Sequence, residues 1–157
     1  MASNTQIPTL LEMAEALVAI PSVSSVLPSI DQSNLPVLET LANWLKPLGF
    51  AVEILPIAGR PGKANLIATL GRGKDGLVFS GHSDTVPFDE HLWQTNPFTL
   101  TERDNKLYGL GSCDMKAFFA LVITALAPYL DKHFNHPLTI IATADEESSM
   151  SGARALN

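Results

Sequence analysis

One cysteine, Cys113, is all the sequence has, so no internal disulfide can form, and nothing else in it points to an oxidising compartment. A reducing cytoplasm fits that usage. Basic residues are also scarce: ten Lys and Arg against sixteen Asp and Glu leave a formal charge of -6. That balance disfavours nucleic acid and anionic membrane as partners, because contacts to phosphate dominate such binding. Charged residues of either sign make up only 17% of 157 residues and apolar ones 46%, the proportions of a compact domain with a genuine core rather than a disordered tail. Long hydrophobic runs are missing too. The longest, AFFALVITALAPYL at 117–130, is shorter than the roughly 20 residues a bilayer requires and contains Pro128, so it reads as a buried helix. The opening MASNTQIPTL has no basic residue ahead of an apolar stretch, which argues against a secretory signal. Internal repeats, low-complexity segments and charge blocks are absent.

What is present alternates helix-like and strand-like patterns. Residues 7–20 place Leu10, Leu11, Ala14, Leu17 and Val18 at helical spacing before PSVSS breaks the pattern. A second amphipathic helix is expected over 34–48, with Leu38, Leu41, Trp44 and Leu45 on one face and Gly49 as its stop. FAVEILPI alternates as a half-buried strand does, ANLIATL makes another, and GLVFSG reads as a short central strand. FTLTERDNKLYGL predicts a hairpin turning at Asp104 and Asn105. A helix over 114–130, buried on most sides, and a strand in PLTIIATAD follow. The fold class expected is α/β, a layered sheet flanked by helices. SSMSGARALN offers Ser149 or Ser151 as the cap of a last helix that stops within about two turns, so the chain is expected to be a fragment.

Three stretches carry candidate chemistry. In SGHSDTVP, His82 falls at the end of the GLVF strand, where open α/β sheets place their ligands. If the backbone stays extended, Asp84 shares the side of His82 and its carboxylate accepts the ring N–H, freeing the other nitrogen for a metal. A surface histidine beside an unrelated capping aspartate is the plainer alternative. In YGLGSCDMK, Asp114 follows two glycines and precedes a helix, so it is either a ligand or a helix cap. IIATADEESS ends a strand in Asp145, Glu146 and Glu147, a crowding of like charge that a cation would relieve. In an extended segment Glu146 and Glu147 diverge, so one can ligate metal while the other reaches a water, as metal-assisted hydrolysis needs. Mixed nitrogen and oxygen ligands favour zinc, with cobalt or manganese also accommodated.

In wording and order these stretches resemble the three metal motifs of the M20 family of dinuclear zinc aminoacylases and peptidases: GHSDTVPFD the first, YGLGSCDMKA the second, ATADEESSMSGAR the third. LWQTNPFTLTERDNKLYG lies between the first two in the order expected, and LPVLETLANWLKPLGFAVEI resembles the family's opening, so the likeness covers nearly the whole chain. The resemblance implies a zinc-peptidase-like catalytic domain holding two divalent ions, zinc first and cobalt second. It implies His82 as a terminal ligand of the first ion, Asp114 as the bridge and Glu147 as a ligand of the second. Asp84 would orient His82, and Glu146 would be the general base. The substrate implied is a small-molecule N-acyl amino acid whose amide is hydrolysed, and the wording is nearest to members that deacetylate N-acetylornithine.

Departures from the family pattern accompany the matches. A further carboxylate ligand, a final histidine ligand and the lid and dimerisation domain between them have no counterpart, so residues 1–157 are expected to be the amino-terminal, incomplete part of a catalytic domain. Homodimerisation would then rest on a domain outside this sequence. Ala117 and Leu110 stand where many members have glycine and arginine. Rival motifs fail: GHSDT lacks the second glycine of a nucleophile elbow at Thr85, and GLGSCD has Asp114 where a dinucleotide loop needs a small residue. Cys113 is expected to be a small buried residue, Met115, Phe118 and Phe119 core, and His91, His133 and His136 surface histidines.

Overall fold

The computed structural model describes residues 7–132 and 134–156. Helix α1 (Leu10–Ala19) starts at a capping box: the Thr9 side chain accepts from the Glu12 N–H, and the Glu12 carboxylate accepts from the Thr9 N–H at 2.7 Å. It buries Met13, Ala14, Leu17 and Val18. Leu11, expected on that face, is instead 49% exposed, because the buried stripe turns onto Met13 as α1 packs on α3 (Ala117–Leu126). Helix α2 (Leu35–Leu45) runs into a tight turn over Lys46–Leu48 and stops at Gly49, whose φ of 91° suits glycine, as expected.

Four strands form one sheet in the order β1 (Ala51–Pro56), β2 (Ala64–Leu70), β6 (Leu138–Thr143), β3 (Leu77–His82). The first two pairings are antiparallel and β3 lies parallel to β6, with His82 opposite Thr143. Leu66, Ala68, Ile140 and Ala142 share one face and are buried beneath the helices, with α2 against β1 and β2 and α3 against β3. The α/β sheet flanked by helices is as expected. The central position expected of GLVFSG is not: β3 is the last strand at one side of the sheet, leaving Leu77 54% and Val78 52% exposed. A continuous apolar run marks burial on both faces but carries no information on which neighbours the described residues supply.

Strands β4 (Thr101–Arg103) and β5 (Lys106–Tyr108) make the expected hairpin, turning through Asp104 and Asn105 at φ 54° and 56°. Helix α3 begins three residues later than expected, and Leu121 on its outer side is 54% exposed, so it is a one-sided helix rather than one buried all round. Helix α4 (Ser151–Arg154) is capped by neither Ser149 nor Ser151; Met150, at φ 53°, precedes it. No helix among the described residues is long and apolar enough to cross a membrane.

Candidate metal centre

The parallel pair β3 and β6 brings its two carboxyl ends together, and each continues into a candidate motif. Ser83 ties them: its N–H and its hydroxyl both donate to the Thr143 carbonyl, at 2.9 and 2.8 Å. His82, buried at the end of β3, directs Nδ1 at the main-chain carbonyl of Asp84, 3.0 Å away. That bond holds the proton on Nδ1 and leaves the Nε2 lone pair facing outward. The Asp84 carboxylate was expected to accept from the ring; it stands 3.7 Å from Nδ1. Fully buried, it accepts instead from the Glu146 N–H at 3.2 Å and the Glu147 N–H at 3.1 Å. Main chain therefore orients the histidine, and the aspartate side chain binds the first motif to the third.

The second motif arrives through a glycine turn. Gly111 has φ 82°, and a Cβ there would stand 2.7 Å from the Lys116 side chain, so only glycine fits. Lys116 is fully buried, donates to the Ile20 carbonyl at 2.7 Å, and has its amine pushed down to about 8 by that burial. Asp114 does not cap α3, which lacks any side-chain cap. Its carboxylate is 73% exposed and lies 3.0 Å from His82 Nε2. A lone pair and a carboxylate oxygen at that separation require a proton or a cation between them.

Glu146 and Glu147 were expected in an extended segment. They sit instead in a turn that starts at Asp145, φ 56°, because the Asp145 carbonyl accepts from the Met150 N–H at 2.6 Å and curls the chain. Ligand atoms of His82, Asp114 and Glu147 lie within 4.8 Å of one another. That spacing, with one nitrogen and two carboxylate donors, suits the holding of divalent metal. Burial pushes the Glu147 carboxyl up, Asp114, Glu146 and Asp84 push it further, and His82 opposes them. A cation is what would reverse that balance. Glu146 Oε2 lies 3.9 Å from His82 Nε2 with its side chain 43% exposed, beside the cluster but free to reach a bound molecule.

Asp145, counted among the crowded acids, has its own cations. Burial alone would raise its carboxyl, but Lys63, Ser151 and Arg60 together hold it below the ordinary value. Arg60 and Lys63 carry no signal in the sequence beyond being basic. Cys113 is exposed, against the expectation of burial, because it lies in the open bend before Asp114. Phe119 is core and Phe118 packs against it, as expected; Met115 is only half-buried. His91 and His136 are exposed, and His133 lies outside the described residues.

Residues 78–157 match the model of peptidase family M20/M25/M40, which takes in all three motifs. The chain belongs to that family. Its relatives include acetylornithine deacetylases of Photorhabdus laumondii, 56% identical over 96% of this chain, and Proteus mirabilis, 54% identical over 96%. The chain spans 39% of the length of each. Among solved structures, human carnosine dipeptidase 1 superposes with a TM-score of 0.78 at 26% identity, covering 94% of this chain and 34% of that one. An M20 family metallo-carboxypeptidase of Sulfolobus solfataricus shares the fold, with a TM-score of 0.69 at 20% identity over 89% of this chain and 31% of that one. The M20 motifs thus coincide with the three segments that the fold gathers around His82.

Proposed function

We propose that this chain is the amino-terminal portion of the catalytic domain of a metal-dependent amide hydrolase that converts N2-acetyl-L-ornithine and water to L-ornithine and acetate, a step of arginine biosynthesis. The observation that carries the reading is the meeting of His82, Asp114 and Glu147 from three separate segments, with Glu146 at their edge. The identity to acetylornithine deacetylases supports the substrate. Two divalent ions, zinc or cobalt, would supply Lewis-acid activation of water and of the acyl carbonyl. His82 would hold the first through Nε2, Asp114 would bridge, and Glu147 would hold the second. Glu146 would take a proton from the attacking water at its carboxylate and return it to the departing amine nitrogen, so that the C–N bond breaks as the new C–O bond is kept. Asp84 would keep the two glutamates in place through their N–H groups. The cytoplasm is the compartment that fits, and a homodimer through a further domain is the assembly.

Glu146→Gln in the longer polypeptide tests the base. A loss of about 10²- to 10⁴-fold in kcat with retained metal uptake is expected, and near-normal turnover would refute the role. The 157-residue chain by itself should bind metal weakly and turn nothing over, as an inactive piece of that enzyme. Robust hydrolysis by it would overturn that view. The likeness to a dipeptidase favours a second reading, dipeptide hydrolysis. Side-by-side turnover of acetylornithine, succinyl-diaminopimelate and a dipeptide separates these, and preference for either of the last two would replace the substrate named here.

A further inference from the structure

The turn that bears Glu146 and Glu147 is held on the side away from His82 by an ion-paired cluster that touches no member of the metal group. Asp145 is fully buried, and its Oδ2 accepts from Arg60 Nη2 at 2.6 Å and from the Ser151 hydroxyl at 2.8 Å. Lys63 Nζ stands 2.8 Å from the other oxygen and donates to Asp31 Oδ1, also at 2.8 Å. Its side chain is 2% exposed. Asp31 in turn accepts from the Ser25 N–H, and Ser24 touches Ser148 within the same turn. Arg60 and Lys63 lie in the loop joining β1 to β2, two strands away from His82 across the sheet.

A left-handed backbone at a non-glycine residue persists only where its surroundings over-determine it. At Asp145 they do so through the side chain, because a buried carboxylate that lost its cations would have to take up a proton or leave the interior, and either change loosens the contacts that hold the turn. We propose that Lys63 and Arg60, acting through Asp145, are positioning residues for Glu146 and Glu147: the ion pair fixes the turn whose N–H groups the Asp84 carboxylate accepts. The consequence for metal uptake rests on the reading of Glu147 as a ligand. The fixing of the turn does not.

Amide hydrogen exchange on the metal-free chain tests the fixing directly. Lys63→Met should speed exchange at the Glu146 and Glu147 amides about tenfold or more, while Ile140 and Ala142 in β6 stay protected. Lys63→Arg should restore slow exchange, and Lys63→Met added to Asp145→Asn should change nothing further, since the action runs through that carboxylate. Unchanged exchange at both glutamates in a folded Lys63→Met chain would overturn the proposal. If that variant does not fold, Arg60→Met decides on the same readout, because Arg60 is partly exposed and its loss leaves the core intact. Cobalt titration then separates the two readings. Wild-type uptake with about tenfold weaker uptake in Lys63→Met supports both. Uptake equal in the two removes the consequence for metal, and no uptake by wild type sinks the metal reading while the exchange result stands or falls alone.

Discussion

Asp145 and Glu147 are two positions apart, yet they stand in opposite electrostatic surroundings. On the far side of the turn, Asp145 meets Arg60 and Lys63 and its carboxyl is held low. On the near side, burial pushes the Glu147 carboxyl up and Asp114, Glu146 and Asp84 push it further, with only His82 in its favour. The protein spends its nearby fixed cations on the acid that shapes the turn and leaves the cluster beside His82 short of positive charge. The two acids differ in how far the fold has already neutralised them.

The sharpest way to break that contrast is to cut the attachment on the near side. Asp84→Ala strands the N–H groups of Glu146 and Glu147 and should cost about 3 to 6 kcal/mol, since hydrogen bonds to charged groups contribute about 1.5 to 3 kcal/mol each. Urea denaturation measures this, and a loss below about 1 kcal/mol would mean that the carboxylate does not hold the turn. The far side can be strained without touching any charge. A Cβ on Gly152 would lie 2.5 Å from the main chain of Ala144, so Gly152→Ala should destabilise by about 1 to 3 kcal/mol, read from the same denaturation curves. Its effect should also reach the Glu147 amide in exchange experiments, because Gly152 donates to the residue just before Asp145.

The smallest effect serves as a control far from both sides. Thr9→Ala removes the cap of α1 and should cost about 1 kcal/mol while leaving exchange at Glu146 and Glu147 unaltered. Hydrogen bonds from Thr9 hold the Glu12 carboxyl below its usual value of 4.5. A lowered carboxyl stabilises fully above that unfolded value and loses its contribution as pH falls through the folded one. The wild-type advantage over Thr9→Ala should therefore shrink below about pH 4.5 in thermal melts. An advantage that grew on acidification would contradict the capping assignment.

Local patterns made much of this legible. The apolar spacing foretells α1, Gly49 foretells the end of α2, and Asp104-Asn105 foretells the hairpin, because each signal and its effect lie within a few residues. The order of the three motifs already pointed to His82, Asp114 and Glu147. Other features escaped because they concern partners remote in sequence. Nothing near Lys63 tells that it meets Asp145, 82 positions later by subtraction of the two numbers, rather than solvent. Nor does SGHSD tell that the Asp84 carboxylate would turn from the ring to the third motif.

Composition and short-range pattern by themselves determined the helices, the strands and the kinds of side chain available for chemistry, because propensity, capping and periodicity act within a turn or two. Only the tertiary structure decided which acids are neutralised and which are left crowded beside His82. Charge compensation depends on distances of a few ångströms between segments far apart in the chain, and those distances exist only once the sheet has brought the ends of β3 and β6 side by side.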